Sequence, residues 1–401
     1  AIAGGDPVKR PAPLSLRLAF LQRRAWLVGI GGLLLSVVGM VLNPVQFFRS
    51  YLFAYLFWLS IAVGCSAIVM ISHLVGGAWG FVIRRILEAA TRTLPLLAVL
   101  FVPLLFGLSS LYMWARPEAV AGDALLQHKS VYLNVPFFIF RAVLYFAVWI
   151  GIAHFFNKWS LAQDQTGDPA LARQMEALSG PGLVLYGGAV TFAAVDWAMS
   201  LDPHWFSTIY GILWIIGQVL TALAFAILVL WLMATQEPLL RVLTPSHFHD
   251  LGNLLLAFVM LWAYVSFAQF LLVWSANLTE EIPWYLRRLH GGWQEVGIAL
   301  VTYHFALPFL LLLIRRAKQT PPILACIAGG LLVMRLIDVY WFIAPEFHPT
   351  VGGALHLLDA LVLIGIGGMW VGGFLGQLKK ASLLPLHDPQ QEAVVAHPGT
   401  A

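Results

Sequence analysis

Charge is what this sequence has least of. Only 10% of its 401 residues are Asp, Glu, Lys or Arg, against about 25% in a soluble domain. That is too little to cover a water-facing surface of this size, so a soluble globular fold is excluded. Cysteine is nearly absent as well. Cys65 and Cys326 each lie inside an apolar run, and no Cys-x-x-Cys, Cys-x-x-Cys-His or ferredoxin-type spacing occurs. The chain therefore has no ligand set for an iron–sulfur cluster or a c-type haem, and any redox metal must belong to a partner. The start also lacks the basic, apolar, small-residue order of a cleaved signal peptide. Its first long apolar run is accordingly expected to be a retained span. The net charge of +4 does not point to nucleic acid, because the positive residues sit in short loops, where they set topology.

Hydrophobicity is abundant instead, at 60% of residues and a mean hydropathy of +0.83. Apolar runs of the roughly 20 residues a helix needs to span a bilayer recur along the whole chain. They predict an all-α integral membrane protein of about ten transmembrane helices, near 26–43, 50–74, 93–114, 132–156, 181–200, 206–234, 251–275, 292–314, 321–344 and 353–375. An interfacial helix from Trp79 to Arg92 is expected before the third span. The polar connection 157–180 is expected to fold over one membrane face, and the Pro- and His-containing tail from Leu383 to be mobile. Most Lys and Arg, from Arg23 and Arg24 through Arg84, Arg85 and Arg92 to Lys379 and Lys380, fall on one side. Arg49, Arg116, Lys129, Arg287 and Arg288 fall on the other. That bias places both termini in the cytoplasm. Gly368, Gly372 and Gly376 clear one face of the last span for close packing, within the chain or with a partner's helix.

Ionisable residues inside the spans are the candidate functional groups. With a rise of about 1.5 Å per residue, the outer half holds Arg141, Asp196, Glu295, Arg335, Asp338, His356 and Asp359. The middle holds Tyr264, Tyr303 and His304, and the inner half His73, Glu88, His154, His249 and Asp250. An intramembrane carboxylate costs about 2.5–3.5 kcal/mol on insertion scales, so it is normally paired, protonated or functional. Arg335–Asp338 and His356–Asp359 are each spaced i, i+3 on one helix face, and Arg141 is a partner for Asp196. Each pair alone reads as an ion pair locking helices together. Together, acids and imidazoles at one depth on several helices are the usual material of a proton relay. His73 and His154 also raise a b-type haem, but no span carries the stacked histidines of a two-haem cytochrome.

Several blocks carry a family resemblance: Trp79–Glu88, Tyr132–Arg141, Asp196–Gly211, His249–Asn253, Trp262–Tyr264 and Trp274–Arg288. Together they resemble the second of two large membrane subunits of alternative complex III, a bacterial quinol:cytochrome c oxidoreductase within the NrfD (polysulfide-reductase-like) membrane family. The resemblance covers roughly residues 25–380. It implies two four-helix bundles, helices two to five over 49–200 and six to nine over 201–348. The first helix at 26–48 and the last at 349–380 then flank them, between cytoplasmic segments 1–25 and 381–401. It further implies a bacterial plasma-membrane complex with a homologous membrane subunit that carries the quinol site, a periplasmic iron–sulfur protein, c-type haem subunits and small membrane subunits. Quinol is then a substrate of the complex, and this chain binds no cofactor through its own ligands. A proton-coupled secondary transporter and a purely structural anchor for redox subunits are the alternatives.

Overall fold

The computed structural model describes residues 14–388, and among them it contains only helices and the turns that join them. Ten helical segments are long and apolar enough to cross a membrane. The chain is an all-α multi-pass membrane protein. Its first elements are α1 (Leu14–Leu42), α2 (Pro44–Val75), α3 (Ala78–Thr91), α4 (Leu94–Phe106), α5 (Val135–Thr166), α6 (Pro169–Trp197) and α7 (Tyr210–Met233). Next come α8 (Pro245–Ala276), the short α9 (Ile282–Arg288) and α10 (Trp293–Ala299). A π-helical stretch at Leu300–Ala306 leads into α11 (Leu307–Leu313), followed by α12 (Pro321–Ile343) and α13 (Leu357–Leu378).

Five of the long helices start with one chemistry, a polar residue followed by proline: Asn43-Pro44, Asn134-Val135-Pro136, Asp168-Pro169, Thr244-Pro245 and Thr320-Pro321. Proline costs nothing in the first turn, where its missing N–H would have had no partner. The polar side chain answers an amide that does need one. Asn43 accepts from the Gln46 N–H, Asn134 from Phe137 and Asp168 from Ala170.

Burial sorts centre from rim. The spanning window of α2 is 94% buried and that of α7 78%, against 11% for α1. α2 packs on α4, α5 and α6, whereas α7 packs on α8 and α12, and α2 and α7 meet each other between the two groups. Contact there is close. A Cβ at Gly64 of α2 would collide with the Gln218 carbonyl of α7. α1 lies along α13, its Gly29 and Gly32 against Gly365 and Gly368, while Trp26 and Gln22 fill the space at Gly372 and Gly376. The small-residue face of the last span is thus consumed within the chain.

Three expectations need correction. The stretch 78–91 is no interfacial helix: every residue from Gly80 to Thr91 is buried, with α3 packed under α2, α7 and α13. Its charges mimic a surface helix, but they are neutralised inside. The connection 157–180 does not fold over a face. α5 runs on to Thr166, a left-handed Gly167 ends it, and α6 starts two residues later, so the two form a continuous helical hairpin. His356 is not within the last span but caps it, its Nδ1 accepting from the Leu358 N–H. Residues 1–13 and the tail beyond 388 lie outside the described residues.

Candidate functional site

The helix order gives the molecule two ends, a terminal face where α1 begins and α13 finishes, and the opposite face. Near the opposite face, Asp196 on α6 is held by Arg141 on α5 in a two-pronged ion pair, Nε to Oδ2 at 2.7 Å and Nη2 to Oδ1 at 2.9 Å. The Tyr145 hydroxyl donates to the same carboxylate at 2.6 Å. Arg141 Nη1 donates to the Tyr132 carbonyl, and its guanidinium lies over the Tyr132 and Phe137 rings. Trp149 and Trp197 close the surroundings. This acid is fully answered.

At similar depth in the other helix group, Arg335 and Asp338 on α12 form an ion pair with both side chains 2% exposed. Gly217 of α7 makes room for the guanidinium, since a Cβ there would strike it. Arg335 Nε also donates to Thr221 Oγ1 at 3.2 Å, and the Trp262 indole N–H donates to Asp338 Oδ2 at 3.2 Å. The same indole packs edge-on against His304, 4.1 Å between ring centroids. His304 is fully buried, and neither ring nitrogen has a hydrogen-bond partner. Pro308 explains why the helix is wide at this point. Its ring crowds the carbonyl four residues back, that of His304, and the π-helical stretch takes up the misfit.

Beside Asp338 lies a cavity of about 620 Å³, walled by α7, α8, α9, α10, the π-helical stretch and α12. Asp338, Gln269, Ser266, Thr302, Gln294 and Arg288 are its polar lining and aromatic rings supply most of the rest. α9 covers its opposite-face side. Trp284 stacks on Trp205 at 4.8 Å, and the Trp205 N–H donates to the Glu281 carbonyl. Arg287 pairs with Asp202 and Glu346, and Arg288 with Glu346. Burial pushes the Arg288 guanidinium below its ordinary value, and Glu346 offsets this only in part. Farther out, His204 sits 2.7 Å from Asp123. The Leu126 N–H first, then His204, hold the Asp123 carboxyl below its usual range.

A second polar cluster lies toward the terminal face. Arg85 on α3 pairs with Glu88 at 2.7 Å and with Asp164 of α5, and donates to Ser160 at 3.0 Å. Arg92 reaches Glu88 at 3.6 Å and Asn157 at 2.6 Å. The C-terminal segment closes over it: Arg84 pairs with Asp388, and the Leu386 N–H donates to Asp164 at 2.8 Å. Arg85 Nε, Glu88 Oε1, Arg92 Nη2 and His73 Nε2 are buried there without a hydrogen bond.

Of the sequence-level candidates, the structure brings together Arg141 with Asp196, Arg335 and Asp338 with His304 alongside, and Glu88 with the terminal cluster. Asp359 sits at the start of α13, accepting from Ser50 at 2.5 Å, Tyr340 and the His356 N–H. Others are not gathered in. Tyr264 is 71% and Tyr303 54% exposed on the apolar rim, and Glu295 and His356 are exposed at the opposite face. His154 is exposed on α5 while His73 packs against Phe156 on another side of that helix, so the two imidazoles do not face one another. His249 and Asp250 are half-buried at the start of α8, 3.7 Å apart. Sequence reasoning did not pick out Arg85, Asp164 or Trp262. The i, i+3 spacing of Arg85 and Glu88 was the available signal for the first. Among the described residues, no group of three or more His, Cys, Asp or Glu could hold a metal ion. No protein-family model matches the chain, and no curated protein matches it.

Proposed function

We propose that the chain is a membrane subunit of a quinol:acceptor oxidoreductase of the alternative complex III type, in a bacterial plasma membrane with both termini cytoplasmic. In this reading a homologous membrane subunit oxidises quinol and passes electrons to a periplasmic iron–sulfur protein and c-type haem subunits. This chain handles protons. The supporting observation is the placing of buried titratable groups: Asp338 near the opposite face, His304 with both nitrogens unpartnered beside it, and the Arg85–Glu88–Asp164 cluster near the terminal face. A neutral imidazole offers one donor and one acceptor, so His304 can take up a proton on one nitrogen and release it from the other. Transfer from there to Glu88 runs through water, and the unpartnered atoms of the terminal cluster are the polar sites at which water binds.

The test uses the assembled complex in proteoliposomes. Asp338→Asn and Glu88→Gln should each lower the ratio of protons moved to electrons transferred, with quinol oxidation retained when the proton gradient is dissipated. An unchanged ratio at unchanged complex yield removes the proton role. The closed Arg141–Asp196 pair favours a second reading for the other helix group, that of a structural anchor. It requires Asp196→Asn to reduce assembly without changing turnover per assembled complex.

A further inference from the structure

Basic residues are few at the opposite face, and two of them have each other for neighbours instead of acids. Of the five that fall there, Arg287 and Arg288 pair with Asp202 and Glu346, and Lys129 donates to the Pro203 carbonyl. Arg49 and Arg116 make no ion pair among the described residues. The charge that acts on Arg49 is that of Arg116, close enough to repel it. Each guanidinium is nonetheless held in place. Arg49 lies over the Phe347 ring, 4.7 Å from its centroid, with Nε buried and unbonded. Arg116 donates from Nε to the Ser109 carbonyl and from Nη2 to that of Ser110. Arg49 Nη1 and Nη2 and Arg116 Nη1 have no acceptor among the described residues, so both side chains keep N–H donors for an anion. Asp359 does not serve: it is bonded by Ser50, Tyr340 and the His356 N–H and pairs with neither arginine.

Depth and surroundings select the anion. α2 has 32 residues, about 48 Å of helix against a hydrocarbon core of about 30 Å. Centred in a bilayer it projects by about 9 Å at each end, and Arg49 stands about 8 Å from Pro44. Its guanidinium is therefore at the level where hydrocarbon gives way to headgroups. The Ser109 and Ser110 carbonyls that hold Arg116 lie just beyond the end of α4. Along that helix Val99, Val102 and Phe106, spaced i, i+3, i+7, form an exposed apolar stripe. We propose that Arg49 and Arg116 bind the phosphodiester of an anionic phospholipid in the leaflet at the opposite face, with an acyl chain along the α4 stripe. A guanidinium fork matches two phosphate oxygens, and an anion between the two arginines removes their repulsion. The second arginine disfavours a headgroup with an ammonium of its own, so phosphatidylglycerol fits and phosphatidylcholine does not. The site shares no lining residue with the cavity beside Asp338 and is independent of the proton role.

Photolabelling of the detergent-extracted protein with its co-purifying subunits tests this. The probe is phosphatidylglycerol carrying a diazirine in one acyl chain, and labelled peptides are mapped by mass spectrometry. Label is expected within residues 99–116, displaced by unlabelled phosphatidylglycerol and about tenfold less well by phosphatidylcholine of the same chains. Arg49 makes no hydrogen bond among the described residues, so Arg49→Gln leaves the bonds of the fold untouched. It should cut labelling at 99–116 about tenfold, the effect of losing a charge-assisted hydrogen bond. Arg49→Lys keeps the charge but not the fork, and should restore part of the label. Arg315→Gln combined with Arg316→Gln, at exposed positions of the terminal face, should leave it unchanged. Labelling unchanged in Arg49→Gln, equal displacement by the two lipids, or displacement by inorganic phosphate as effective as by phosphatidylglycerol would each overturn the proposal. So would the absence of label at 99–116 in the intact assembly, which would assign the two arginines to an acid on another subunit.

Discussion

Asp196 and Asp338 solve intramembrane burial differently, and the difference decides what each can do. Asp196 receives three hydrogen bonds, two from Arg141 and one from Tyr145, inside a wall of rings. Removing one member of such a buried pair strands the other, at a cost of about 3–5 kcal/mol, whereas replacing both with apolar groups of similar volume is often neutral. Asp196→Asn should therefore destabilise the protein by that amount, and Arg141→Met combined with Asp196→Leu should recover most of it. Thermal unfolding of the detergent-solubilised chain measures both, and a double variant no better than the single would refute the account. Asp338 has Oδ1 to spare and a cavity beside it. Outside the membrane, Asp123 fastens the loop that carries Leu125 and Leu126 to His204. Its folded pKa is lowered, so its stabilisation is present above the ordinary value of 3.8 and lost as pH falls below that through the lowered value. Amide exchange at Leu125 and Leu126, compared between pH 6 and the acid range, should show protection lost there, and Asp123→Ala should abolish the pH dependence.

At the scale of elements, the spans were legible because apolar runs of spanning length are hard to disguise, whereas their starts were not: the helices begin at Pro44, Pro169 and Pro245, ahead of the apolar runs read near 50, 181 and 251. Less legible was anything that depends on which side of a helix faces in. Tyr303 and His304 are neighbours about 100° apart in a run apolar on all sides, so nothing in the order of residues says that one meets lipid and the other the interior. The widened turn ahead of Pro308 settles it in three dimensions. For α3 the difficulty was reversed. Its Arg and Glu residues read as a water-facing stripe, since the acids that neutralise Arg84 and Arg85 from outside the helix, Asp388 and Asp164, are far away in sequence. The α1–α13 crossing was half visible, as glycines on the last span, while their partners Gly29 and Gly32 gave no sign of being opposite. A Cβ at Gly368 would fall 2.5 Å from the Gly29 Cα, so the backbones themselves must separate. Gly368→Val should cost about 1–3 kcal/mol by overpacking. Gly373→Val, where the nearest atom is the end of the Leu96 side chain at 2.9 Å, should cost less. Comparing the two by thermal unfolding checks that the crossing, and not loss of glycine as such, is responsible.

For the whole molecule, α2 and α7 form a buried spine on which two differently filled helix groups hang. One packs aromatic rings around its acid, and the other leaves space beside its own. Each group's polar cluster is joined to chain segments remote in sequence, and this is clearest at the terminal face. There the single side chain of Asp164 contacts both α3, through Arg85, and the C-terminal segment, through the Leu386 N–H. Loss of that carboxylate breaks both links together, while Arg85 keeps Glu88 and Ser160 as partners. Asp164→Ala should therefore cost about 1–3 kcal/mol, the range for a buried donor losing its acceptor, and should loosen the segment 381–388, which keeps the Arg84–Asp388 pair, without dispersing α3. Limited proteolysis of the intact protein separates the two effects: cleavage within 381–388 should accelerate several-fold while α3 stays protected. Cutting of α3 at a matching rate would mean that the tail holds the terminal cluster together instead of merely covering it. Arg84, paired with Asp388 but not with Asp164, would then be the residue on which that face depends.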